Sequence, residues 1–560
     1  MAAKLNAKII SSLEKCFHDE ALSDHPRLKK ASMLRNERYS FQLAMQLQDR
    51  TCKDKKEVYL RVKSALAAYL EVKLVREVPS MFPCYGDARR REYLRRTPGL
   101  YPDLLEPLAE GREIPLVPGQ LRSLWFTIEP HVGMPTGEQK IELELLDENS
   151  MLLARETLAL TVIGMDLPAQ GLTFTQWFHC DCLAVYYGAH VFSERHWEII
   201  ENFLRTARRY GMNMVLTPVF TPPLDTAVGA ERPTVQLVDV TVEGGKYRFG
   251  FEKLDRWVHL CLRLGFEQFE ISHFFTQWGA AHAPKIVARV EGRTKRIFGW
   301  ETEAAEEAYA SFLHAFLDAL IPHLKELGID SRCRFHISDE PSEDSLGNYQ
   351  AAKRIVEERL KGYPIMDALS SYEFYRQGVS ECPIPSNDHI EPFLEHSVPH
   401  LWTYYCCGQS NGVSNRFLSM PSVNNRIIGT QFYKYGIEGF LHWGYNFYFS
   451  QLSRHAVNPF LVTDGDYMVP SGDAFSVYPA PDGTAWESLR LVVFHEALQD
   501  QRALELCESL YGRAFVMRLL EGGLRGRITF SSYPRRAAFL LRLRERVNAA
   551  IAARQENAEV

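Results

Sequence analysis

Two carboxylates stand side by side at Asp339 and Glu340, in the run HISDEP (336–341). Adjacent carboxyls suit acid–base work on a polar bond. The charge on one raises the pKa of the other. Pro341 follows and restricts Glu340 to extended backbone. The same pair has a plainer use, as the N-cap of a helix with a favourable dipole.

Other apolar runs end in groups that would suit such a pair. They are Trp177, His179 and Asp181; Thr217; His273 and Trp278; Asp367; Trp402, Tyr404 and Tyr405; and His442, Trp443 and Asn446. The C–H faces of a pyranose pack on indole rings, while carboxylates bind hydroxyls and move protons. A carbohydrate site is the chemistry this set favours. Singly, such aromatics also serve as core or loop anchors.

Three other patterns carry less. GQSNG (408–412) has the spacing of a nucleophile elbow at Ser410, but VSNRFLSMPS follows where a helix is needed. HEALQ (495–499) lacks the second histidine of a zinc-protease helix. HCDC (179–182) puts His179 and Asp181 on one face if the strand continues, which reads as pocket lining or a reduced thiol before a metal site. No metal and no cofactor is expected. The basic run DARRREYLRR (87–96) reads as a solvated face.

The elements that must position these residues fall into two textures. After a short N-terminal helix, the first 165 residues read as a β-sandwich: RYSFQLAMQL (38–47), EVYLRVKSALAAY (57–69), SLWFTIEPHV (123–132) and KIELELLDE (140–148) have period-2 stretches, several separated by Pro or Gly turns. DLPAQG (166–171) is a linker. From 172 to 552 short apolar strands alternate with amphipathic helices. Eight strands are expected at 172–178, 213–219, 267–273, 332–338, 363–369, 380–384, 399–406 and 438–444, with Gly211, Gly265 and Gly328 where helices should end. Eight such units make a (β/α)8 TIM-like barrel of the α/β class, whose site lies at the C-terminal strand ends. An open doubly wound sheet is the alternative, but no GxGxxG turn follows any strand. Helices over 485–552 complete the outer layer, and the last of them could also support a homo-oligomer.

Composition bounds the partners. The chain has 560 residues, 46% apolar and 24% charged, with net charge −6, which argues against a generally basic nucleic-acid binder. No run of about 18 apolar residues suggests a membrane span. The start shows no leader-like apolar core. Eleven cysteines, without a CxxC pair, suit a reduced, cytoplasmic setting.

HISDEP, then LWTYYCC (401–407), NNRIIGTQFYKYGIEGFLHWGYN (424–446) and GDAFSVYPAPDGTAWESLRL (472–491) leading to Asp500, resemble glycoside hydrolase family 123 and the wider group sharing its C-terminal domain. MLRNERYSFQLAMQ (33–46) and SLWFTIEPHVGMPTGEQK (123–140) are similar to that family's sandwich. The resemblance implies a retaining exo-β-N-acetylgalactosaminidase in which the sugar's 2-acetamido oxygen attacks its own C1 and forms an oxazoline. Asp339 would hold the acetamido group and Glu340 would be general acid, then base. Tyr404 would meet the acetamido carbonyl, while Trp443 and Asn446 would shape the pocket. Trp402, His273, Trp278 and Trp177 are further binding candidates. The alternatives are a glycosidase for a sugar without the acetamido group and a non-catalytic carbohydrate-binding protein.

Overall fold

The computed structural model describes residues 5–48, 55–340 and 343–558. They fall into two compact units. One takes Met1–Gln170, Asn411–Tyr435 and Trp486–Val560; the other takes Gly171–Ser410 and Gly436–Ala485. The segment 411–435 and the chain from Trp486 onward thus group with the N-terminal strands, not with the eight-strand region in which the sequence reading placed them.

The first unit is β-rich at its N-terminal end. An antiparallel sheet runs in the order Leu5–Ser11, Tyr39–Leu47, Leu121–Ile128, Leu70–Ser80, Gly99–Pro107. A second sheet runs Lys30–Leu34, Leu152–Ile163, Gly137–Leu146, Lys56–Lys63, Ile114–Leu116. Side chains from both share one core, among them Phe41, Leu43, Phe126, Leu143 and Leu160. The expected N-terminal helix is instead the strand Leu5–Ser11, because Leu5, Ala7 and Ile9 alternate inward. Helices Ser422–Tyr435 and Leu489–Tyr511 belong to the same unit. They approach at Gly429, where a Cβ would lie 1.9 Å from the carbonyl oxygen of Ala497.

All eight strands expected in the second unit are present, each shorter than its apolar run: Thr173–Gln176, Met214–Thr217, Gln268–Ile271, Cys333–Phe335, Met366–Ala368, Cys382–Ile384, Trp402–Tyr404 and Gly439–His442. Parallel ladders join the second to the third and the third to the fourth, the fifth to the sixth, and the eighth to both the first and the seventh. Single parallel bridges, Phe335 to Ile365 and Ser386 to Tyr404, link the fourth strand to the fifth and the sixth to the seventh. Between the first and second, the Asn213 N–H donates to the Phe174 carbonyl at 3.1 Å. A four-stranded sheet over Asp239–Gly250 and Ile286–Phe298 branches off and was not anticipated.

The helices between the first strands follow their apolar stripes. Glu194–Arg209 starts at Ser193, whose side chain accepts the His196 N–H, and buries Trp197, Ile200, Phe203, Leu204 and Ala207. Such a stripe at helical spacing must face a core. Gly211 just beyond it has φ 97°, and Gly265 caps Glu252–Leu264 at φ 90°. Among the described residues no helix is long and apolar enough to cross a membrane.

Candidate active site

The residues that follow the C-terminal ends of these strands line one cavity of about 140 Å³. Trp177, Trp278, Asp339, Glu340, Tyr404 and Trp443 all reach it. Its wall is otherwise mostly apolar, with Leu224, Leu441, Phe447, Met468 and Val469, and among the described residues no lysine or arginine lines it.

Asp339 is half-buried and Glu340 exposed. The Asp339 carboxyl is pushed well up: burial acts first, then the Glu340 charge, and His336 only partly opposes them. Glu340 Oε1 accepts the Tyr404 hydroxyl at 2.6 Å. Burial and the Glu340 charge push the Tyr404 phenol well up, so it stays a donor. Glu340 is not extended. It sits at φ 45°, in the left-handed region, and the Asp339 carbonyl before it accepts the Trp278 N–H at 2.9 Å. The chain turns there, where extended backbone at Glu340 was expected. Pro341, the basis of that expectation, lies outside the described residues. Trp278 (φ 60°) and Asp225 (φ 40°) are strained in the same sense. Such positions cost about 1–3 kcal/mol each and persist where the surroundings over-determine them.

A buried polar network lies behind the cavity wall. The Trp177 indole N–H donates to Glu270 Oε1 at 2.7 Å, and Thr175 Oγ1 donates to Oε2 at 2.8 Å. His336 spans Glu270 (2.6 Å) and Asp367 (3.1 Å), and the Tyr349 hydroxyl closes on the other Asp367 oxygen. Burial works against charge on His336, yet hydrogen bonds to Asp367 and Glu270 push it up to about 10. It is an imidazolium between two carboxylates. On the opposite wall, Asp473 Oδ2 accepts the Trp443 indole N–H at 2.8 Å and fixes that ring.

Three expected binding residues do not line the cavity. His273 is 1% exposed and stacks on His336 with ring centroids 4.3 Å apart. Trp402 is turned against the neighbouring strand, where a Cβ on Gly439 would lie 1.9 Å from its indole. Asn446 accepts the His179 N–H at 2.9 Å and donates to its carbonyl at 3.1 Å, a clamp on the backbone. His273, His336 and Asp367 are close enough together to consider a metal. Both His336 nitrogens, however, are bonded to carboxylates, and the stacked rings do not direct their in-plane lone pairs at one point. HCDC does not continue the strand. His179 precedes the helix Cys180–Tyr187, and Asp181 pairs with Arg232 at 2.7 and 2.8 Å. Sequence reasoning missed Asp225, Gln277 and Phe447 as lining residues. They lie on long loops with no periodic signal.

The family model for the catalytic domain of glycoside hydrolase 123 matches residues 177–507. The chain belongs to glycoside hydrolase family 123. It is therefore a glycoside hydrolase, with a carbohydrate substrate. A family 123 glycoside hydrolase from Clostridium perfringens, described for glycolipid glycan hydrolysis, superposes with a TM-score of 0.73 at 16% identity, over 99% of this chain and 98% of that one. At this identity the likeness establishes a shared mixed α/β fold. A family 5 mannosidase from Rhizomucor miehei covers 60% of this chain and 99% of its own at 13% identity, with a TM-score of 0.33. No curated protein sequence matches.

Proposed function

We propose that this family 123 enzyme is a retaining exo-β-N-acetylgalactosaminidase working through an oxazoline, at the C-terminal end of a (β/α)8 barrel preceded by a β-sandwich. The ladders and bridges that join the second strand through to the eighth and the eighth back to the first, and the core shared by the two N-terminal sheets, support that architecture. The observation that carries the chemistry is the state of the pair. Asp339 is the carboxyl driven toward its protonated form, with Glu340 beside it and no lysine or arginine among the described residues that line the cavity.

Substrate redistributes that proton. The acetamido N–H donates to Asp339 and favours its ionised form, so the proton passes to Glu340. Glu340 then gives it to the glycosidic oxygen as the acetamido oxygen attacks C1 and the C1–O bond breaks. The oxazolinium is steadied by the Asp339 charge in a site with a mostly apolar wall, where fixed charge is most effective. Glu340, now ionised, takes a proton from water, whose oxygen attacks C1 and restores the amide. Tyr404 holds Glu340 Oε1 before substrate enters and can turn to the acetamido carbonyl afterwards. Such substrate assistance departs from the two-carboxylate scheme of most glycosidases. The Clostridium perfringens relative's link to glycolipid glycans makes a glycolipid-derived amino sugar the natural class to try.

The test compares an aryl β-N-acetylgalactosaminide with the aryl β-galactoside that lacks only the acetamido group. The expected result is turnover of the first alone. Equal turnover of both would leave a glycosidase without substrate assistance, and turnover of neither by folded protein would overturn the reading.

A further inference from the structure

A third carboxyl reaches the cavity. Asp225 lies in the loop after Met214–Thr217 and lines the same space as Asp339 and Glu340. Its left-handed backbone is held from two sides. Its N–H donates to Gln277 Oε1, its carbonyl accepts Ser453 Oγ at 2.6 Å, and its Oδ2 accepts the Leu452 N–H at 3.0 Å. Leu452 and Ser453 are themselves at φ 57° and 53°. Two strained segments are locked together, and what they present is one carboxylate.

The Leu452 N–H is bonded to Oδ2 and the Ser453 backbone N–H also favours the charged carboxyl; each carboxylate oxygen has two acceptor positions, so Oδ1 can still accept. Arg232, the cation whose charge it feels, is committed elsewhere: to Asp181 through two nitrogens and to the Leu224 carbonyl at 2.9 Å. Burial pushes Asp225 up to about 6, against the pull of Arg232, so the carboxyl is mainly ionised at neutral pH.

The second observation is Gln277. It is 8% exposed, lines the cavity, and its Nε2 is buried without a partner among the described residues. The amide orientation is fixed chemically. The Asp225 N–H needs an oxygen, so the nitrogen is the end left over. A buried donor without a partner costs about 1–3 kcal/mol. An open acceptor and an unmet donor, tied to each other by the Asp225 N–H, together match a hydroxyl, which donates through its hydrogen and accepts at its oxygen.

We propose that Asp225 and Gln277 form a hydroxyl-recognising pair that sets sugar specificity, with Asp225 Oδ1 accepting from a ring hydroxyl and Gln277 Nε2 donating to it. This rests on the glycosidase reading but not on its acetamido step. Removing a hydrogen bond to a charged group from a desolvated site should cost about 10- to 100-fold.

The experiment uses an aryl glycoside series in which each ring hydroxyl is replaced in turn by hydrogen, with the full chain and Asp225→Asn. Asparagine tolerates the left-handed backbone, can keep an oxygen on the Leu452 N–H, and puts a donor where the acceptor was. In the unaltered enzyme one deoxy substrate should lose about 10- to 100-fold in kcat/KM. Asp225→Asn should lose a similar amount on the parent sugar, mostly in KM, and no longer distinguish that deoxy substrate. Calorimetric binding of the free N-acetylhexosamine and its deoxy analogues to the unaltered enzyme reads the same contact without a variant. Equal deoxy penalties in both proteins, or no hydroxyl standing out in binding, would overturn the pair. If Glu340→Gln abolishes turnover while Asp225→Asn behaves as wild type, this inference fails and the catalytic reading stands. If the enzyme binds the sugar with one dominant hydroxyl but hydrolyses nothing, the reverse holds.

Discussion

In the unit that carries the N-terminal strands, five charged side chains meet in the interior; in the other, three carboxyls line a cavity. Arg426 bonds Asp500 through Nε at 2.7 Å and Nη2 at 2.9 Å, and Glu496 through Nη1 at 2.8 Å. Arg544 reaches Asp500 at 2.8 Å and Glu37 at 2.6 Å. Every carboxylate there has a guanidinium. Burial would lift Asp500, but Arg426 and Arg544 together hold it below the usual carboxylate range. Around the cavity, Asp225, Asp339 and Glu340 have no guanidinium or ammonium bonded to them among the described residues, and the His336 imidazolium is claimed by Glu270 and Asp367. Answered charge fixes geometry. Charge left unanswered, on strained backbone, is available to a ligand.

The comparison can be broken from either side. The largest effect should come from Arg544→Met. It leaves Glu37 and part of Asp500 buried without a counter-ion, which should destabilise the protein by about 3–5 kcal/mol in chemical denaturation. The kcat of the fraction that remains folded should be unchanged. A loss of kcat without a loss of stability would mean that the cluster serves the reaction. The next effect should come from Asp339→Asn. It removes the charge proposed to steady an oxazolinium and should lower kcat by about 10²–10³-fold. It should also raise the denaturation midpoint slightly or leave it alone, since it relieves a carboxyl held among like charges. A stability loss comparable to that of Arg544→Met would show that the pair is structural after all.

The sequence carried the frame better than the site. The eight runs were visible because most of their strands are buried on both faces and read as short, largely apolar stretches between turn residues. The four-stranded branch was not, since Arg293, Thr294, Lys295 and Arg296 are exposed and Asp239–Glu243 buries little but Val240. At the N-terminus, Leu5, Ile9, Ile10 and Leu13 stand at near-helical intervals, while the inward set alternates. Asp339, Glu340, Tyr404 and Trp443 were legible because each ends a strand or stands within a few residues of its end. Asp225 and Gln277 were not, because loop residues meet through contacts between distant segments, which no local period records. Trp402 and His273 misled for one reason: an aromatic near a strand end looks alike whether it turns to the cavity or into the core.

The general-acid role of Glu340 is the central claim, and leaving-group dependence tests it most directly. Glu340→Gln should be compared with the unaltered enzyme on aryl β-N-acetylgalactosaminides whose phenols range from strongly acidic to weakly acidic. A departing nitrophenolate with several nitro groups needs little proton help, so its release should suffer least. A poor leaving group should lose the general-acid contribution of about 10²–10⁴-fold. The account predicts a penalty that grows steeply as the phenol becomes less acidic. A penalty that is the same for every leaving group, or near-native rates with the poorest one, would contradict it.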